Sequence, residues 1–73
     1  MKFSMKKVTV LLADGFEEIE ALTVVDLLRR AKVYVDTVSI TDDYTVRGAH
    51  GIPVQTEDLI TEIDFKESDM IVL

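Results

Sequence analysis

Cysteine is absent from all 73 residues of the sequence. That excludes disulfide stapling, a thiolate metal site and a cysteine nucleophile within these residues. Histidine occurs once, at His50, and there is no His-x-x-x-His pair. A transition-metal site would have to be assembled almost wholly from carboxylates, so neither a metal nor a cofactor is expected. Basic residues are few: 8 Lys and Arg stand against 14 Asp and Glu, for a net charge of -6 and no clustered basic patch. Nucleic-acid affinity comes largely from Lys and Arg neutralising phosphates, which argues against a nucleic-acid partner. No apolar run approaches the roughly 18 residues of a membrane span. The opening Met1-Lys2-Phe3-Ser4-Met5-Lys6-Lys7 carries no separate apolar segment that could serve as a secretory signal. No membrane partner and a cytoplasmic location are the resulting expectations.

With 48% hydrophobic residues the chain reads as a globular piece rather than a disordered one. Val8-Thr9-Val10-Leu11-Leu12 is a short, nearly continuous apolar run, the pattern of a strand buried on both faces of a parallel sheet. A helix is predicted from Glu17 or Glu18 to Ala31, with Asp26 and Arg30 spaced to pair on its surface. Val33 to Ile40 reads as a second strand, β-branched and aromatic in character. Strand, helix and strand make a βαβ unit, in which the second strand runs parallel to the first and beside it. After the polar Thr41-Asp42-Asp43-Tyr44, the segments Thr45 to Ala49 and Ile52 to Val54 flank His50-Gly51 as a small hairpin. Gly51 supplies a positive φ at the tight connection, and Pro53 confines its strand to an edge. His50 at such a tip reads first as a turn residue. Glu57 to Glu67 is polar, with Leu59, Ile60, Ile63 and Phe65 as anchors, and predicts a loop with a helical turn. Asp69-Met70-Ile71-Val72-Leu73 then leads into a further apolar strand, expected to be central in the sheet. Because the sequence stops inside that strand, residues 1–73 are expected to be the N-terminal part of one longer domain.

The densest cluster of acids opens the predicted helix, in Ala13-Asp14-Gly15-Phe16-Glu17-Glu18-Ile19-Glu20-Ala21-Leu22. Acids at a helix N-terminus and Arg29, Arg30 and Lys32 at the other end complement the macrodipole, which accounts for Glu17 and Glu18 without any further role. Glu20 reads differently. At about 3.6 residues per turn, Ala21, Val24, Val25, Leu28 and Ala31 form the core stripe. Glu20 borders it, with Val24, Leu27 and Ala31 along the same row, whereas Glu18 is expected on the wet face with Arg29. An acid placed beside apolar side chains, on a helix that opens directly after a strand, is a candidate functional group.

The segment Val10 to Glu20, followed by Val25-Asp26-Leu27-Leu28-Arg29-Arg30-Ala31, resembles the ThiJ/PfpI superfamily, and within it the branch of the parkinsonism-associated deglycase. Val46-Arg47-Gly48-Ala49-His50-Gly51-Ile52 and Asp69-Met70-Ile71-Val72-Leu73 support the resemblance, which covers essentially the whole sequence. It implies a flavodoxin-like α/β fold, a parallel sheet with flanking helices. It also implies a cysteine on a tight strand-to-helix turn, hydrogen-bonded by a glutamate of the first helix, and residue by residue that glutamate is Glu20. A carboxyl in apolar surroundings favours its protonated form and can donate to a thiolate, and a stabilised thiolate is a better-populated nucleophile and a more oxidisable one. The family's strand continues into a Pro-Gly-Gly turn with the cysteine further on, so the nucleophile is expected beyond Leu73. The resemblance places Gly15, Phe16, Glu17, Arg30 and His50 at the substrate pocket or a homodimer interface.

The implied activity is glyoxalase-like or deglycase-like, on small reactive carbonyl compounds or their protein adducts. A redox sensor or a chaperone-like stress-response protein without turnover stands beside it, because relatives in the superfamily do different things on one fold. A phosphate binder capped by Glu20 is opposed by Asp14 and Glu17, since acids repel phosphate.

Overall fold

A computed structural model describes residues 6–73; Met1 to Met5, and with them most of the segment in which no secretory signal is expected, lie outside the described residues. Six strands and one α-helix follow in the order β1 (Lys7–Leu12), α1 (Glu18–Arg30), β2 (Tyr34–Ser39), β3 (Thr45–Arg47), β4 (Pro53–Gln55), β5 (Asp58–Leu59) and β6 (Met70–Val72). The fold is α/β. Four strands form a parallel sheet in the order β5-β2-β1-β6, and β3 and β4 form a separate antiparallel ribbon.

The apolar run of β1 sits where its composition suggests. Val8, Val10 and Leu12 are buried, and so is Thr9 between them, so the strand is covered on both faces. Its parallel register with β2 sets Val8 beside Val35 and Val10 beside Thr37. Val25 of α1 and Val46 of the hairpin close over this row, with Ala21, Leu28, Val54 and Val72 packed around it. Burying one such side chain contributes about 1.5–3 kcal/mol.

The helix ends as a Schellman motif, with Val33 N–H donating to Leu28 O at 3.0 Å and Lys32 N–H to Arg29 O at 3.1 Å. Lys32 takes the left-handed position that this motif normally gives to glycine, at φ 65°. Asp26 and Arg30 pair on the helix surface at 3.0 Å, four residues apart as their spacing predicts.

The hairpin is shorter than its composition suggests. Ala49 and Ile52 belong to the connection, and the ribbon pairs Thr45 with Gln55 and Arg47 with Pro53. Gly51 has a φ of 78° at that connection, the region where glycine meets no steric penalty. Pro53 lies on a two-stranded ribbon, where every strand is an edge.

Residues 57–67, expected as a loop with a helical turn, contain two 3-10 turns, Ile60–Glu62 and Phe65–Glu67, and in addition the short parallel strand β5, which was not expected. β5 is pinned by contacts distant in sequence: Glu57 N–H donates to Thr37 O at 3.0 Å, and the Glu57 carboxylate accepts from Arg29. β6 pairs in parallel with β1, Val10 beside Val72, and closes the strand order among the described residues. No helix among the described residues is long and apolar enough to cross a membrane.

Candidate functional site

Beyond Leu12 the chain must leave the sheet and reverse into α1, and a turn at residues 13–16 does this, with Phe16 N–H donating to Ala13 O at 3.1 Å. Gly15 carries a φ of 88° there, a value that costs a side chain with a Cβ roughly 1–2 kcal/mol. The turn is stitched to the hairpin by three bonds. Gly15 N–H donates to Arg47 O at 2.8 Å and Ala49 N–H to Phe16 O at 2.8 Å. Arg47 N–H donates to Asp14 Oδ1 at 3.0 Å.

A cavity of about 360 Å³ opens where this turn passes the ends of β1 and β6. Val10, Leu11 and Leu12 form its floor from β1, and Val72 and Leu73 flank it from the β6 end; Phe16 and Glu17 come from the turn, and Glu20, Ala21 and Val24 from the first turns of α1. The crevice outside the carboxyl ends of parallel strands is where open α/β sheets place ligands. Its walls are mainly apolar, with Glu17 and Glu20 as the two carboxylates.

Glu20 therefore lies on the cavity, but it is exposed rather than wrapped in apolar side chains, because Val24 and Leu27 on the same row of the helix are exposed as well. The wet face assigned to Glu18 is also corrected: Glu18 is 4% exposed and belongs to the buried stripe. Arg29, expected on the same wet face, reaches across to Val35 O at 3.0 Å and to Glu57.

The Glu18 carboxylate is held by the hairpin tip. Its Oε2 accepts the backbone N–H of His50 at 2.8 Å and of Ile52 at 3.4 Å, and its Oε1 lies 2.8 Å from His50 Nδ1. Burial pushes this carboxyl up, but the His50 ring and the N–H groups of Glu18, His50 and Ile52 outweigh it and leave the pKa at about 2. His50 is raised above its ordinary 6.5 by the bond to Glu18 and by the charges of Glu18 and Glu17, with burial opposing.

The structure thus divides the residues expected together. Phe16, Glu17 and Glu20 meet at the cavity. Gly15 shapes the turn, His50 pairs with Glu18, and Arg30 pairs with Asp26 on the helix surface without lining the cavity. Ligand-type atoms of Glu17, Glu18 and His50 come within 4.8 Å of one another, a cluster that a single histidine in the sequence did not suggest. We read it as an ion pair, not a metal centre. Glu18 already accepts the hairpin's N–H groups, and the positive end of α1 opposes a cation. The missed residue is Glu18, and its signal was spacing: it stands three residues before Ala21 and seven before Val25, on the stripe that packs inward.

Comparison with known proteins agrees with the architecture. Over 73 residues the chain is 34% identical to the Arabidopsis thaliana protein DJ-1 homolog B, covering 100% of this chain and 17% of that protein. The structure of oxidized Toxoplasma gondii DJ-1 superposes with a TM-score of 0.86 at 38% identity, covering 90% of this chain and 36% of that one. A mutant DJ-1 superfamily protein from Salmonella typhimurium, cysteine changed to alanine, gives a TM-score of 0.78 at 43% identity, covering 80% of this chain and 31% of that one. The chain spans about a sixth of the curated relatives and about a third of the solved ones, 17% and 31–36% respectively. Residues 6–73 match the DJ-1/PfpI family, and the chain, an N-terminal piece of its flavodoxin-like fold, belongs to that family.

Proposed function

We propose that the whole protein carrying this chain acts on small reactive carbonyl compounds, or on their protein adducts, in a glyoxalase-like or deglycase-like reaction. The nucleophile in this reading is a cysteine beyond residue 73, with residues 1–73 ending before its turn. One observation carries the reading: Glu20 lines an otherwise mainly apolar cavity at the carboxyl ends of β1 and β6. A carboxyl there can hydrogen-bond a thiolate brought to the same crevice, and an apolar wall suits a small carbonyl substrate. The thiolate adds to the carbonyl carbon; a carbon–sulfur bond forms, the C=O π pair moves to oxygen, and that oxygen takes a proton from solvent water, leaving hydroxide to the bulk. Neither a cofactor nor a metal is required for that addition.

A second reading is redox sensing by the same cysteine, and what favours it is that the similar Toxoplasma protein is described in its oxidized form. Methylglyoxal consumption by the whole protein and by its cysteine-to-serine variant separates the two. Turnover lost in the variant supports the carbonyl reading. Equal, negligible consumption in both overturns it and favours the sensor.

A homodimer is the proposed assembly, in a cytoplasmic setting. Ile19 and Leu27 of α1 and Ile52 of the hairpin, 80%, 59% and 50% exposed, supply apolar surface for it. Light scattering on the whole protein checks it; a monomer at micromolar concentration would contradict it.

A further inference from the structure

Complementing a helix dipole does not require burial, and a solvated acid serves it as well. Glu18 is nevertheless buried, and the hairpin tip is built around it. Two backbone N–H groups and the His50 ring converge on the one carboxylate. Gly48 backs onto it so closely that a Cβ at position 48 would overlap the Glu18 carboxyl. The same hairpin holds the turn that carries Phe16, through Arg47 and Ala49. Phe16 and Glu17 are in turn part of the cavity wall. A continuous chain of short contacts therefore runs from the Glu18 carboxylate, through residues 48–52, to the cavity.

We infer that Glu18 is a positioning residue: its carboxylate latches the hairpin tip to the start of α1, and the latched hairpin sets where Phe16 and Glu17 stand on the cavity wall. The inference rests on the cavity being the working region of the protein, but it concerns geometry rather than turnover.

One side of the latch titrates near neutrality. Glu18 stays ionised, whereas His50 is charged at acid pH and, as pH rises through its raised value, loses the charge that strengthens its bond to Glu18. The charged groups around the pair are Glu17 from the start of the helix, Asp14 from the turn, and Arg47 from the hairpin, whose guanidinium is turned to Gly51 O at 2.8 Å. The two N–H bonds to Glu18 persist at either pH, so the hairpin loosens without detaching.

The test is a pH titration of the whole protein by amide and histidine NMR, from about pH 5 to 9. The His50 ring is expected to titrate above about 6.5, with the Phe16, Glu17 and Ala49 amides moving at the same midpoint. In Glu18→Gln the midpoint falls back to about 6.5 and the three amides lose their pH response. His50→Asn keeps the backbone latch and removes the titrating group, so it covers the case in which Glu18→Gln does not fold; the amide response disappears in it too. A His50 midpoint indifferent to Glu18→Gln overturns the inference. So do Phe16 and Glu17 amides that stay still while Ala49 moves, or that keep responding in His50→Asn. None of these signals depends on the cysteine, so a failed carbonyl assay and a failed latch are told apart.

Discussion

Glu18 and Glu20 stand two residues apart on α1 and face different surroundings: Glu18 is buried against the hairpin tip, while Glu20 is exposed and lines the cavity. Two residues turn a helix by about 200°, so neighbouring acids of one segment serve opposite sides of it. One carboxylate is engaged by the hairpin tip and the other faces the cavity.

The latch has a pH signature in stability. Glu18 is depressed in the folded state, to about 2 from 4.5, so its contribution is complete above 4.5 and is lost as pH falls through about 2. His50 is raised, so its contribution is complete below 6.5 and is lost as pH rises through the folded value. The melting temperature of the unsubstituted protein should exceed that of Glu18→Gln most at pH 5 to 6, and the gap should close toward about pH 2. The gap to His50→Asn should instead close on the alkaline side. Gaps that do not change with pH would remove the electrostatic account of the latch.

Gly48→Ala should damage the same contact from the other side. The new methyl must displace a carboxyl that is fixed by three hairpin donors, at an expected cost of about 1–3 kcal/mol. Chemical denaturation measures it, and a His50 titration shifted toward its ordinary value should accompany the loss. A variant as stable as the parent would mean that the hairpin tip has room the structure does not show.

Much of this fold could be read from the residues. The continuous run Val8 to Leu12 and the β-branched run ending at Ile40 specify two buried parallel strands, and Ala21, Val25 and Leu28 specify the face that covers them. β5 was not legible because two residues, Asp58 and Leu59, carry no periodicity, and their pairing depends on Glu57 meeting Thr37 and Arg29. The surroundings of Glu18 were misread because apolar patterning gives a carboxylate no weight as a core residue, although its spacing placed it on the core stripe. Glu20 was legible as a candidate from its place at the border of the apolar stripe of a helix that opens directly after a strand, and the resemblance then implied its role. The cavity it lines becomes visible only when β6 lies beside β1.

Asp36 offers an independent check on the sheet. It is buried at 2% exposure, and burial, together with the hydrogen bond and charge of Asp58 and the charge of Glu57, pushes its pKa up to about 7 from 3.8, with Lys7 opposing. A raised carboxyl lowers stability as pH climbs from 3.8 to about 7. Asp36→Asn should therefore be more stable than the parent at pH 8, with the advantage disappearing below 3.8. Equal pH profiles for the two proteins would contradict the assignment.

The helix end supplies a stabilising substitution. Lys32→Gly relieves a left-handed conformation at an exposed position and should raise stability by about 1 kcal/mol, read as a higher melting temperature. A loss of stability would mean that the lysine side chain holds the helix end in a way its backbone does not reveal.

The most direct test of the central claim, that Glu20 supports a nucleophilic cysteine from the cavity wall, is the thiol titration of the whole protein beside its Glu20→Gln variant. The account predicts a raised apparent thiol pKa and reduced carbonyl turnover in Glu20→Gln, with the fold intact. A thiol titration and turnover unchanged by Glu20→Gln would contradict it.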